Sequence, residues 1–262
     1  MAEPTIRMTV ANGVATIVLN RPDVLNSFTR AMGAEMQAAL DDGASREDVR
    51  AVLITGAGRA FCAGQDLAEA APPDSDWPDI RDFVEATYNP TVRAIREMEK
   101  PVIAAVNGVA AGAGANIALA CDFVIAAESA AFLQAFCHIG LIPDSGGTFF
   151  LPRLVGMARA TALTMLGEKL PATEALAMGL IYKVVPGDDL MTEAGKLAAH
   201  LATRPTRGLG LIKRALNASW SNDLVNQLAL EAELQGEAGA TDDYREGVTA
   251  FLEKRKPAFR GR

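Results

Sequence analysis

Two stretches of this chain have the composition for chemistry done by the main chain. One is Phe61-Cys62-Ala63-Gly64-Gln65-Asp66-Leu67, and the other is Asn107-Gly108-Val109-Ala110-Ala111-Gly112-Ala113-Gly114-Ala115-Asn116. Glycine lets a backbone come close to another molecule and adopt turns that other residues resist. The first N–H groups of a helix have no partner within it and attract negative charge. Two such groups aimed at one carbonyl oxygen would make an oxyanion hole. Each cluster alone serves a tight turn or close helix packing equally well.

Side-chain chemistry is sparsely supplied. Gly56-Ala57-Gly58-Arg59-Ala60-Phe61 lacks the last glycine of a dinucleotide fingerprint, and no GxxxxGK[ST] occurs. Asp144-Ser145-Gly146-Gly147 is not a G-x-S-x-G nucleophile elbow. Cys137-His138 raises a thiol nucleophile, but neighbours on regular structure diverge and His200 is far along the chain. Cys137 is therefore read as structural. Cys62, Cys121 and Cys137 make no C-x-x-C pair and no disulfide framework. Two histidines so far apart do not build a metal centre.

The elements that must hold the glycine segments alternate between short apolar strands and helices. Strands are expected at 6–10 and 14–19, joined by an Asn12-Gly13 turn and stopped by Asn20-Arg21-Pro22. Ser27 or Thr29 opens a helix whose apolar face includes Met32, Met36 and Leu40. A strand at 49–55 leads into the first glycine segment. Residues 68–82, with Pro72-Pro73-Asp74, read as a mobile loop beside a site or, equally well, as a solvent-exposed insertion. A helix follows over 88–98, with Pro90 near its start. Residues 101–106 are apolar on both faces, as in a parallel sheet. A small-residue helix over 108–120 and a strand at 122–126 come next. This repeated order predicts an α/β fold.

From about residue 190 the pattern turns helical. One helix is expected over 222–237. Thr241 caps the last one, with Asp242 and Asp243 in its first turn and Lys254, Arg255 and Lys256 at its far end. Tyr244, Val248 and Phe251 form a stripe that covers either its own domain or a neighbouring subunit.

The chain has 262 residues, half of them hydrophobic, enough for a substantial core without a structural metal. Its 25 Lys and Arg against 32 Asp and Glu leave a net charge of −7, which argues against non-specific binding to nucleic acid or an anionic membrane. No apolar run reaches the roughly 20 residues that span a bilayer, and MAEPTIRM is not a signal sequence. These readings predict a cytoplasmic protein.

The ordered motifs resemble the crotonase family, the enoyl-CoA hydratase/isomerase superfamily. They are Asn20-Arg21-Pro22 with Leu25-Asn26, TGAGRAFCAGQDL, KPVIAAVNGVAAGAGANIALACD, IGLIPDSGGT and LPRLVG, and they run through essentially the whole chain. The resemblance implies a spiral of ββα units with a helical C-terminal region, divided here as a core at 1–195 and a helical part at 196–262. It implies trimers that pair into hexamers, an acyl-CoA substrate and no separate cofactor. The oxyanion hole would use the N–H groups of Gln65 and Ala113. Ala63, Gly64, Asp66, Leu67 and Gly112 would lie against the substrate, with Asp66 either touching it or bracing the loop. Tyr88 would line the acyl pocket or pack within its helix, and Phe251 and Lys254 would help hold CoA.

The departures from the family pattern carry the finer expectation. Hydratases of the family use two glutamates, whose positions correspond here to Asn116 and Phe136. Neither can act as a general base, so both are expected only to contact substrate, Phe136 as an apolar wall. Asp144 stands where some isomerases and a dehalogenase of the family place their working aspartate. It either caps the helix beginning at Ser145-Gly146 or is the acid–base carboxylate, and the loss of the glutamates favours the second. NRPDVLNSF, YNPTVRAI, ATRPTRGLGLIKRALN and DYREGVTAFLEKRKPAF further resemble the ring-1,2-epoxyphenylacetyl-CoA isomerases of the family. These form oxepin-CoA and are associated with moving a 3,4 double bond to the 2,3 position. The competing expectations are an aliphatic 3-enoyl-CoA isomerase, a hydratase with other acid–base groups, and a non-catalytic acyl-CoA or RNA-binding relative.

Overall fold

The fold is a computed structural model that describes residues 3–70 and 78–262. Among these residues the chain forms ten strands: β1 (Ile6–Ala11), β2 (Val14–Leu19), β3 (Ala51–Gly56), β4 (Ala60–Cys62), β5 (Val102–Val106), β6 (Val109–Ala111), β7 (Phe123–Ala127), β8 (Ala131–Leu133), β9 (Lys169–Pro171) and β10 (Lys183–Val185). β2 alternates buried and half-buried residues, whereas β5 is buried throughout. That difference follows their places in the larger sheet, ordered β1-β2-β3-β5-β7-β10. β1 and β2 form an antiparallel hairpin, and every other pairing in that sheet is parallel. The Asn12-Gly13 turn takes positive φ at both residues, as a tight hairpin requires.

A second sheet, ordered β4-β6-β8-β9, is built from three-residue strands. The two sheets are filled alternately. β3, β5 and β7 enter the larger one, and β4, β6 and β8 follow each of them into the smaller one. Each pair is followed by a helical segment, at Leu67–Ala70, Ala113–Ala120 and Ala135–Ile139 respectively. This is the expected α/β spiral of ββα units. Its consequence for function is that β4 and β6 are parallel neighbours, so the loops leaving them emerge side by side.

Several boundaries differ from the sequence reading. The helix expected over 108–120 is confined to Ala113–Ala120, because Val109–Ala111 pairs with both β4 and β8 instead. The expected helix at 88–98 begins earlier, with a wide π-type turn at Val84–Tyr88 that runs into Asn89–Glu97. Pro90 sits in the first turn of that second stretch, where its missing N–H costs nothing. Of the loop expected at 68–82, residues 71–77 lie outside the described part. Its flanks are helical, at Leu67–Ala70 and Ile80–Phe83.

Four helices close the chain: Leu190–Ala202, Thr206–Ala218, Leu224–Gly239 and Asp242–Leu252. Lys213 anchors the second of them. Its buried ammonium donates to the carbonyls of Ile95 and Lys100 and to Asp122 Oδ2, at 2.7, 3.3 and 2.8 Å. Asp122 also faces Arg96 and accepts the N–H of Val102 at the start of β5. Thr241 caps the last helix by accepting from Tyr244 N–H. Buried Asp243 is more than a helix-dipole partner, since its carboxylate accepts the N–H groups of Arg260 and Gly261 and ties down the tail. Tyr244, Val248 and Phe251 remain exposed, Phe251 by 83%. Within one chain the stripe therefore does not cover the domain's own core.

Candidate active site

The loop after β4 is gripped by the turn between Arg21 and Phe28. Leu25 and Asn26 both adopt left-handed backbone, at φ 54° and 56°. Buried Asn26 holds this strained turn together. Its Oδ1 accepts from Arg21 N–H, and its Nδ2 donates to the carbonyls of Ala57 and Ala60 at 2.9 and 2.8 Å. The turn then binds the loop through the backbone. Ala63 N–H donates to Leu25, Phe28 N–H to Gly64, and Asp66 N–H to Phe28, at 2.9, 2.7 and 2.9 Å. These bonds use the N–H groups of Ala63 and Asp66 and the carbonyl of Gly64, whose own N–H faces Cys62 Sγ, and leave Gln65 N–H without an acceptor among the described residues.

Asp66 belongs to the same grip. Its carboxylate pairs with Arg21 at 2.8 Å and accepts from Ser27 Oγ and Ala68 N–H. Burial alone would raise this carboxyl, but those bonds outweigh it and hold Asp66 below the ordinary carboxylate value. The side chain is spent on the loop and does not line the cavity described below. Of its two expected roles, the structure provides the brace.

The second loop comes from β6. Gly112 turns the chain at φ 53°, ψ −127°, and the helix starts at Ala113 with no side-chain cap. Ala113 N–H therefore has no acceptor among the described residues either, and the positive end of the helix dipole lies there. Glycine is required where the two loops meet. At Gly64, φ is 92°, and an added Cβ would stand 2.9 Å from the Ala111 carbonyl oxygen and 3.7 Å from Ala113 N. At Gly114 an added Cβ would stand 2.5 Å from the Cys62 carbonyl. The same burial pushes the Cys62 thiol up to about 12, so it offers no thiolate.

Between the loops lies a cavity of about 180 Å³. It is lined by Ala63, Gly64, Gln65 and Leu67 from the first loop and by Gly112 and Ala113 from the second. Tyr88, Phe136 and Asp144 complete its wall, with Ala135, His138, Ile139 and Leu141 at the segment after β8. Most of the residues expected at a site thus converge on one space. Ile139 and Leu141 lie within the IGLIPDSGGT motif, in which only Asp144 stood out as chemistry, so nothing in their own residue types singled them out as lining residues.

Asp144 is the only carboxylate among the described residues lining this cavity. Burial pushes its pKa up from 3.8 to about 6, against the opposing hydrogen bond from Ser145 Oγ at 2.9 Å. The carboxylate does not cap the following helix. Gly147–Val155 has Gly146 as its N-cap, with no side-chain cap bond. Ser145 and Gly146 both take positive φ, 51° and 77°, so the chain turns sharply between Asp144 and the helix.

Asn116 requires a correction, because it does not line the cavity. Fully buried on the helix Ala113–Ala120, it donates from Nδ2 to the Asp144 carbonyl at 2.9 Å and accepts from Gln134 Nε2 at 2.8 Å. It supports the backbone beneath Asp144. Phe251 and Lys254 do not line the cavity within this chain. Cys137 and His138 do not diverge as adjacent residues were expected to. Both side chains lie against Gly167, where an added Cβ would be 2.6 Å from Sγ and 2.5 Å from Nε2. No group of metal-binding side chains occurs among the described residues, and none of their helices is long and apolar enough to cross a membrane.

Comparison with known proteins gives a consistent context. Residues 9–262 match the family described as enoyl-CoA hydratase/isomerase. A Rhodobacter capsulatus protein named as a probable enoyl-CoA hydratase is 51% identical over all of both chains. The 1,2-epoxyphenylacetyl-CoA isomerase of Escherichia coli is 52% identical over 97% of each. Among solved structures, the enoyl-CoA hydratase of Bacillus anthracis superposes with a TM-score of 0.93 at 36% identity, covering 98% of this chain and 100% of that one.

Proposed function

The chain belongs to the enoyl-CoA hydratase/isomerase family of enzymes that process CoA thioesters, and from that premise we propose that it is an isomerase with Asp144 as its acid–base group. The observation that carries this reading is the lone carboxylate in a cavity bordered by two unpartnered backbone N–H groups. Hydration needs groups that position and activate water, and the two family glutamate positions hold a buried structural amide and an apolar ring.

In this mechanism the thioester oxygen sits between Gln65 N–H and Ala113 N–H. For double-bond migration, the Asp144 carboxylate takes a proton from the α carbon. Electrons move into the carbonyl, and the resulting enolate oxygen is held by both donors. Protonated Asp144 then returns the proton at the γ carbon, so the reaction is balanced without a co-reactant. Each donor contributes about 3–4 kcal/mol to the transition state. A carboxyl near pKa 6 suits both halves of the cycle, since efficient transfer asks for a pKa near the working pH.

The acyl group favoured here is aromatic. A cavity of about 150 Å³ can admit a benzene ring, and this one is about 180 Å³ with Leu67, Phe136, Ile139 and Leu141 in its walls. The proposed reaction is conversion of ring-1,2-epoxyphenylacetyl-CoA to oxepin-CoA, in which the same donors hold the enolate-like oxygen while the three-membered ring opens and the carbocycle expands. The 52% identity to the Escherichia coli isomerase supports it, and a 3,4-to-2,3 double-bond shift would use the same groups. The exposed Tyr244, Val248 and Phe251 suit a homotrimer or a hexamer in which Phe251 and Lys254 reach the CoA of a neighbouring site.

The test is a product assay of wild type and Asp144→Asn with ring-1,2-epoxyphenylacetyl-CoA, a 3-enoyl-CoA and crotonyl-CoA. Oxepin-CoA from wild type and its loss in the variant, with CoA binding intact, are expected. Hydration of crotonyl-CoA as the sole activity would overturn the assignment and favour the hydratase reading carried by the Rhodobacter capsulatus name.

A further inference from the structure

Among the residues that line the cavity, Tyr88 carries a polar group to which the mechanism above gives no task. Tyr88 is fully buried, and its Oη has no hydrogen-bond partner among the described residues. A buried, unpaired hydroxyl costs stability, so such groups are rare unless something absent from the free protein completes them. The ring cannot swing away to find a partner. Phe28 packs against it with ring centroids 5.9 Å apart, and Phe83 packs edge-on at 5.2 Å. Val84–Tyr88 is the wide π-type turn just before the helix Asn89–Glu97, a distortion that often marks functional positions.

Tyr88 lines the same cavity as Asp144, opposite in chemical kind. Burial first, and the nearby Asp144 charge second, push its pKa up, so the phenol stays protonated and keeps a proton to donate. A fixed donor in a cavity walled mainly by the side chains of Leu67, Phe136, Ile139 and Leu141 selects for an acceptor on the ligand at that point.

We propose that the Tyr88 hydroxyl is a specificity-determining donor that hydrogen-bonds an oxygen carried on the ring of the acyl group. The inference rests on the isomerase reading for the identity of that oxygen, which in the proposed substrate is the epoxide oxygen. No proton is transferred by Tyr88. It holds the ring oxygen while the carbon–carbon bond shared by the epoxide and the carbocycle breaks and both C–O bonds persist, and it is left unpaired by a purely hydrocarbon acyl chain. A ring oxygen is thereby favoured over a hydrocarbon acyl group by about tenfold to a hundredfold, the range of one buried hydrogen bond made or left unmade.

The experiment compares wild type with Tyr88→Phe, which keeps the packed ring and removes only the oxygen. The first readout is the ratio of kcat/KM for ring-1,2-epoxyphenylacetyl-CoA to that for a 3-enoyl-CoA in the same preparation, so the active fraction cancels. The second is the ratio of dissociation constants for 2-hydroxyphenylacetyl-CoA and phenylacetyl-CoA, which requires no turnover. A fall of tenfold or more in the kinetic ratio, and loss of the preference for the hydroxylated ligand, are expected. Unchanged ratios, or equal losses on both substrates, would overturn the proposal. Should wild type form no oxepin-CoA, the isomerase reading fails by itself. The binding pair then decides Tyr88 alone, with no wild-type preference for the hydroxylated ring counting against it.

Discussion

Removing the Asp144 charge should stabilise the protein while it abolishes turnover, and the size of the gain can be worked out. Burial places the carboxyl at about 6, against an ordinary 3.8. That gap is worth about 3 kcal/mol, at about 1.4 kcal/mol for each pH unit. The sign follows from proton binding. Between these two values the native chain holds a proton that the unfolded chain has released, so stability falls as pH rises through the window. The cost is absent below 3.8 and complete above about 6. Asp144→Asn is neutral at every pH and keeps an oxygen to accept from Ser145. At pH 8 it should unfold at a midpoint higher by about 6–12 °C, from about 2–4 °C for each kcal/mol in a domain of this size. The two melting curves should draw together towards pH 4. Calorimetry at pH 4.5, 6 and 8 reads this directly. In the same interval wild-type kcat/KM should fall as pH drops below about 6, because the carboxylate must be ionised to take a proton. A variant equally stable or less stable at pH 8, or a difference that does not change with pH, would refute the reasoning.

Gly64→Ala places a Cβ 2.9 Å from the Ala111 carbonyl and strains a residue at φ 92°, so the two donor loops must separate. A loss of about 100- to 1,000-fold in kcat/KM, the worth of one misplaced donor, should accompany a stability loss of about 1–3 kcal/mol. Steady-state kinetics within threefold of wild type would show that the N–H pair is not the working feature. Asn116→Ala leaves Gln134 Nε2 unpaired and removes a donor to the Asp144 carbonyl. It should cost about 1–3 kcal/mol of stability and lower kcat more than it raises KM. An unchanged kcat would separate Asn116 from Asp144.

The larger sheet was readable because its strands bury long β-branched residues. The strands expected at 14–19 and 101–106 coincide within a residue with β2 and β5. The smaller sheet was not read. Its strands are three residues each, too short for a period of two to register, and Val109–Ala111 is composed of residues that serve a helix as readily. Within the site, the small residues marked two segments where backbone could approach closely, and the family resemblance alone singled out the N–H groups of Gln65 and Ala113. Asn116 was misplaced, since motif spacing gives a helix position but not whether the side chain faces the cavity or the Gln134 side. The two roles left open for Asp66 were separated only by folding, which brings Arg21 to within 2.8 Å of it across 45 positions of sequence.

That Gln65 and Ala113 offer their main-chain N–H groups has a consequence for how such a protein can change. Every residue except proline carries the same N–H, so the donors do not depend on the chemistry of the side chains at these two positions. What must be kept is shape: the left-handed turn at Leu25-Asn26 and the glycines at 64, 112 and 114. In the proposed mechanism the reaction type, by contrast, rests on a few replaceable side chains around an unchanging pair of donors. A scaffold arranged in this way can acquire a new activity by relocating one carboxylate, without rebuilding the part that bears the developing charge.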